Sequence, residues 1–207
     1  MREPTRNRHN VAGMAETISR FPVTELDDLP SDLRDRITAI ADRSGFVPNV
    51  FLALGHRPAE LRAFLDYHDA VMERDGSLTK AERELVVVAT SGANSCTYCV
   101  VAHGAILRIR ARDPRIADRV ATNPWTVELD ERQRAIVDLA LALAVEPATF
   151  GQTDLEEARF AGLTDDEIWD IGAITALFAL SNRIAHLTAL RPNDEFYLMG
   201  RLSRSDQ

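Results

Sequence analysis

Both cysteines of this 207-residue chain lie in one short stretch, Ser91 to Arg108 (SGANSCTYCVVAHGAILR), and a histidine follows four residues after the second. On an α-helix each residue advances about 100°, which puts Cys99 at roughly −60° and His103 at roughly −20° from Cys96. The three side chains then share one stripe. Cys96 and Cys99 are close enough for a disulfide across one turn, and His103 neighbours Cys99. The first turn of a helix favours a thiolate through its unpaired N–H groups and its dipole. A thiolate attacks oxidants and disulfides, and a nearby imidazole can take and return the proton. Nearness to the helix start favours Cys96 as the lower-pKa thiol, whereas the His103 contact favours Cys99.

Other readings of the same residues are weaker. Buried packing would not require this spacing or a phased histidine. Zinc would find three ligands in Cys96, Cys99 and His103, but a closed structural site takes four, and the chain has no further cysteine. A thioredoxin-like motif needs βαβ elements. Haem attachment needs histidine directly after the second cysteine, where Val100 stands.

The elements that must position these residues read as helices. The segment LTKAERELVVVATSGANS opens with Thr79 and has Glu82 three residues on, the capping-box pattern. This favours a buried helix over a strand for its apolar run, with Gly92 near its end. Glu84 stands beside that run, so its carboxylate needs a partner. A second helix is expected from about Cys96, capped by Asn94 or Ser95, up to Pro114. Upstream, Ser31 is the expected cap of a helix that stops at Gly45, and Pro58 separates a short helix from a longer one carrying His68. Downstream, TVELDERQRAIVDLALALAVEP, TDLEEARFAG and the long LTDDEIWDIGAITALFALSNRIAHLTAL complete the set. Asn182 and Arg183 interrupt the last of these and suit hydrogen bonds to neighbouring helices. LTKAEREL, LDERQRAI and LTDDEIWD echo one another ahead of three apolar helices, a likeness that repeated capping explains as well as duplication does. No segment alternates over strand length, so the chain reads as all-α.

Composition narrows the function classes. With 45% hydrophobic and 27% charged residues the chain can bury a core. A net charge of −8 argues against nucleic acid and against anionic membranes. The longest apolar run, Ile171 to Leu180, falls well short of the ~18 residues of a membrane span. The polar N-terminus lacks a signal-peptide core. Residues 1–20 are expected to be a flexible arm, 21–207 a single domain, and the location cytoplasmic, where a disulfide staple is out of place.

Glu84, Cys96, Cys99 and His103 form the pattern E-x11-C-x-x-C-x-x-x-H, which resembles the core motif of the alkyl hydroperoxidase D and carboxymuconolactone decarboxylase superfamily. GFVPNVFLALGHRP ahead of the motif looks like its peroxidase-related subgroup, and ALFALSNRIAHL is similar to the family's second half. The resemblance spans roughly Phe21 to the C-terminus. It implies an all-α helical bundle that assembles as a homo-oligomer. It also implies a peroxidatic Cys99, a resolving Cys96, and a proton relay through Glu84 and His103. One position departs from alkyl hydroperoxidase D, which has a histidine directly before the second cysteine; here it is Tyr98, a poor base near neutral pH. Tyr98 and His68, a second imidazole within possible reach, are further candidates.

The leading expectation is a thiol-dependent peroxidase acting on a hydroperoxide, regenerated by an external dithiol that the resemblance suggests is lipoyl-type. It needs no cofactor or metal, and no nucleic acid or membrane partner. Two alternatives stay open: a redox-sensing oligomer with slow turnover, and a carboxymuconolactone decarboxylase-like enzyme in which Glu84 and His103 move protons.

Overall fold

The computed structural model describes residues 17–201, and these contain ten α-helices, two short 3-10 turns and no strand. Residues 1–16 of the expected arm lie outside the described residues. The arm's remaining residues are joined to the last long helix and the segment after it: Arg20 N–H donates to the Thr188 carbonyl and Arg191 N–H to that of Ile18.

The centre of the bundle is α4 (Lys80–Ala93), in which every residue from Glu82 to Ser91 is buried. One side of α4, through Val86 and Val87, packs on α7 (Glu131–Val145), α8 (Gln152–Phe160) and α9 (Asp165–Thr188). The other, through Leu85, Val88 and Ala89, packs on α5 (Thr97–Ala111), α6 (Ile116–Thr122) and α7. A helix covered on both sides carries a continuous apolar run rather than a stripe. That is why LVVVA is apolar at every position while remaining helical.

Three helices of the bundle begin in the same way, and the echo in the sequence has a spatial counterpart. Thr79, Asp130 and Thr164 cap α4, α7 and α9, each with a reciprocal capping box to Glu82, Gln133 or Glu167. The second residue of α7, Arg132, donates to Glu82 and to Glu167, both at 2.6 Å. The N-termini of α4, α7 and α9 therefore meet at one guanidinium. Negative charge at each N-terminus is favoured by the helix dipole, and Arg132 offsets the crowding of two such carboxylates.

α1 (Ser31–Ser44), α2 (Asn49–Leu54) and α3 (Pro58–Met72) lie against this centre. Leu33 and Ile37 of α1 pack on Leu61 and Leu65 of α3. The chain end returns to them: Asn193 accepts from the Asn49 backbone and donates to the Val47 carbonyl, and Phe196 meets Phe46 edge-on. Phe196 lies in the one-turn α10 (Glu195–Leu198).

Two helix starts differ from expectation. Pro30, not Ser31, is the cap of α1, because its carbonyl already accepts from Leu33 and Arg34. Cys96, not Asn94 or Ser95, is the cap of α5, since Ser95 is spent on a left-handed turn with φ 53° that reverses the chain.

α4 and α6 cross so closely that a Cβ on Gly92 would sit 2.8 Å from the Ala121 backbone. Backbone cannot yield as a side-chain tip can. Gly92→Ala is expected to destabilise the fold by about 1–3 kcal/mol. A denaturant melt giving the wild-type midpoint would show that the crossing relaxes freely.

Candidate functional site: a thiol pair and a buried Glu–His contact under a cleft

α4 and α5 form an antiparallel hairpin joined by only Asn94, Ser95 and the cap Cys96. At 1.5 Å per residue, Glu84 lies roughly 15 Å back from the turn along α4, while His103 and Arg110 lie roughly 10 Å and 21 Å along α5. The two α5 residues, seven apart and so on one face, straddle the carboxylate. His103 Nδ1 is 2.8 Å from Glu84 Oε2, and Arg110 donates to Oε1 at 3.0 Å. Glu84 is 2% exposed and both its oxygens are engaged. An ionised Glu84 makes Nδ1 the protonated nitrogen of His103 and leaves Nε2 as the free one.

The sequence-predicted residues Glu84 and His103 are thus in direct contact. The expected contact between His103 and Cys99 is not made: among the described residues, neither thiol hydrogen-bonds to His103. The imidazole packs edge-on against Phe178 instead, 4.6 Å between centroids. His68 does approach, its ring 6.4 Å from that of His103. Burial pulls the His68 pKa down, against the pull of Asp69.

Both cysteines are reduced and buried. Their environments differ in kind. Cys96 is held down to about 6, first by donation from the Cys99 thiol and then by the Cys99 N–H, the charge of His186 and Asn182, all against burial. The Cys99 N–H is the third of the helix and is aimed at the cap sulfur, although the contact falls short of a formed cap bond. Cys99 is pushed well up, first because its thiol is the donor to Cys96 and then by burial. Its sulfur also lies 3.6 Å from Ser181 Oγ. In the resting pair one proton sits on Cys99 and the charge on Cys96, and the pair titrates as a unit. The contact with the Cys99 thiol, ahead of the backbone N–H at the helix end, sets Cys96 as the thiol that ionises first.

Access runs the other way. Cys99 lines a cleft of about 670 Å³ between α1, α2 and α3 on one side and α5, α9 and α10 on the other. Tyr98, His103, His68 and Ser181 line it as well, and Cys96 does not. Tyr98 is buried, which raises its phenol pKa, and its hydroxyl accepts from the Val50 backbone of α2. It braces the cleft wall and is no base. Among the described residues, no group of three or more histidine, cysteine or acidic side chains is arranged to ligate a metal.

Four contributors were missed in the sequence. Asn182, read there as structural, does bridge helices by donating to Ser91 and accepting from Asn94, and it also favours ionisation of both thiols. Ser181 and His186 share its helix, and His186 Nε2 is 2.9 Å from the Asn94 carbonyl. Their spacing, four or five residues, was the available signal. Arg110 was detectable as the residue seven beyond His103. Arg183 is exposed and bonds within its own helix, to Ala179.

The carboxymuconolactone decarboxylase family model matches residues 58–123, which hold the whole E-x11-C-x-x-C-x-x-x-H pattern. The crystal structure of an alkylhydroperoxidase AhpD core protein from Ralstonia eutropha JMP134, described as an uncharacterized peroxidase-related protein, is 56% identical. It matches over 92% of this chain and 100% of its own, with a TM-score of 0.89. The chain belongs to the alkyl hydroperoxidase D and carboxymuconolactone decarboxylase superfamily, in its peroxidase-related subgroup. A second peroxidase-related protein of this subgroup, from Silicibacter sp. TM1040, is 33% identical over 89% of this chain and 99% of its own, with a TM-score of 0.82. An uncharacterized protein of Cupriavidus necator is 35% identical over 46% of this chain and 79% of its own length. The superfamily is one of enzymes. No helix among the described residues is long and apolar enough to cross a membrane.

In this superfamily member the thiol pair should release its first proton near pH 6. Thiolate absorbance at 240 nm in reduced protein is expected to rise by one thiolate with that midpoint. In Cys99→Ala the midpoint should move upward, since the largest stabilising donor is gone. A wild-type midpoint at about 8.5, the value of a free thiol, would contradict the assigned asymmetry.

Proposed function

We propose that the chain is a thiol-dependent peroxidase with a defensive, antioxidant role, in which Cys99 is the peroxidatic and Cys96 the resolving residue. The observation that carries the reading is the division of labour within the pair: Cys99 alone opens into the cleft, beside His103, while the charge is stored on Cys96 behind it. The shared proton passes from Cys99 to Cys96, leaving a thiolate that faces the substrate. The Cys99 thiolate attacks the outer oxygen of R–O–OH, the O–O bond breaks, and Cys99 becomes a sulfenic acid. The departing alkoxide takes a proton that His103 has drawn from solvent onto Nε2, with the charge balanced by the Glu84 carboxylate at Nδ1. Cys96 then attacks the sulfenic sulfur as its proton passes to the departing hydroxide, which leaves as water, and the disulfide closes. An external dithiol, of lipoyl or similar type, returns the pair to the reduced state by exchange. Arg110 holds the other oxygen of Glu84 by ion pairing.

Single-cysteine variants test the roles. In Cys96→Ser a sulfenic acid on Cys99 should persist and be trapped by dimedone after one equivalent of peroxide. In Cys99→Ser, Cys96 should label weakly. The reverse pattern means the roles are swapped. Glu84→Gln and His103→Ala, with circular dichroism to check folding, are each expected to slow turnover by about 10²-fold. Wild-type rates in both would remove the relay. Disulfide formation with negligible dithiol-driven turnover would point instead to a sensor.

We also propose that the chain self-associates. Trp169, Leu180 and Leu187 lie 75%, 50% and 63% exposed along the outer side of α9. A second copy is the simplest cover for such a row. Light scattering at micromolar concentration should give a particle larger than 23.0 kDa. A stable monomer would overturn this.

A further inference from the structure

The cleft is far larger than a peroxide group. Hydrogen peroxide is close in size to water, which takes about 30 Å³ in the liquid, whereas about 670 Å³ suits a ligand with a sizeable body. Ile40, Phe51, Phe64, Ile106, Phe196 and Met199 give most of the wall an apolar character.

The polar part of the wall is unbalanced in an informative way. The chain carries a net charge of −8, yet the cleft is lined by four cationic side chains, Arg36, Arg43, Lys80 and Arg110, against the two carboxylates Asp69 and Glu73. Three of the cations are occupied. Arg36 pairs with Asp66 and Asp69, Lys80 with Glu73, and Arg110 with Glu73 and Glu84. Arg43 makes no hydrogen bond or ion pair among the described residues, and it is exposed. It follows Arg36, Ala39 and Ile40 along the one face of α1 that borders the cleft, at spacings of seven, four and three. A lone surface arginine is ordinary; a lone arginine on the rim of an apolar cleft that ends at a buried thiol is a complete recognition pattern.

Resting on the peroxidase reading, we propose that the cleft takes an organic hydroperoxide with an apolar body and a carboxylate, and that Arg43 holds the carboxylate at the solvent-facing rim. A guanidinium suits that group through its two parallel donors. The apolar body fills the space between α1 and α5, and the peroxide is delivered to Cys99.

The test separates binding from turnover. Reduced protein is titrated calorimetrically with a medium-chain hydroxy acid, the redox-inert product form, and with its methyl ester, both below their micelle concentrations. The acid should bind about tenfold more tightly, the scale of one hydrogen-bonded ionic contact. Arg43→Gln, which removes no contact within the fold, should bring the acid-to-ester ratio to about one, and Arg43→Lys should keep part of the preference. With the matching hydroperoxides, the KM ratio should collapse in the same way. Equal binding of acid and ester by the wild type, or a preference that survives Arg43→Gln, overturns the proposal even if the protein reduces peroxides well. An Arg43-dependent preference without peroxide turnover would uphold the carboxylate subsite at Arg43 and overturn the peroxidase reading, and with it the hydroperoxide as substrate.

Discussion

The buried carboxylate of Glu84 is the constraint from which the site follows. It sits in the most enclosed helix of the protein, 2% exposed, where an unpaired charge would cost several kcal/mol. Among the described residues its partners come from α5, which offers two, Arg110 and His103, one for each oxygen. Satisfying both fixes the register of the α4–α5 hairpin. That register then dictates where α5 begins, and hence which cysteine becomes the cap and which falls three residues inside. Removing either partner would leave one oxygen of a buried carboxylate without its bond, so the Glu84–His103 pair and the packing of the central hairpin are one arrangement.

The pair of thiols shows how a short motif can hold two different chemistries. Cys96 has the helix end, His186 and Asn182 around it, and no opening to the cleft. Cys99 has the opening, and an environment that keeps it protonated at rest. A thiol protonated at rest is poorly reactive until a substrate arrives, and a thiolate shielded from the cleft resists casual oxidation. In the proposed reaction, reactivity depends on a single proton crossing between two sulfurs rather than on a permanently exposed thiolate.

Much of this was legible in the sequence, for identifiable reasons. The capping box at Thr79 announced α4, and the echo of that segment ahead of α7 and α9 has its cause in Asp130 and Thr164, which cap their helices in the same way. Continuous apolar runs read as buried helix because those caps excluded strands. Glu84 and His103 were joined in the sequence only through the family resemblance, since the local pattern paired His103 with Cys99. What the sequence concealed depends on distant segments. Arg132 meets Glu82 and Glu167 across 50 and 35 residues. The ring of His103 turns to Phe178 and Glu84 rather than to Cys99, its sequence neighbour. Ser181 and His186 reach the thiols from α9, 82 and 90 positions away from Cys99 and Cys96. Local pattern carries no information on such pairings. Ser95, at positive φ, also passed unnoticed, since serine gives little warning of a left-handed turn.

Tyr98 stands between the two cysteines in the chain, and its hydroxyl holds the Val50 amide of α2. The cleft wall is thereby tethered to the very turn in which a disulfide would form. Two sulfurs at about 2 Å need a tighter first turn than two thiols in hydrogen-bond contact, and a tethered wall must follow that tightening or release the phenol. The Tyr98–Val50 bond is thus the point at which a change in the sulfur pair would be felt by the cleft, one hydrogen bond joining the redox state of the turn to the shape of the wall.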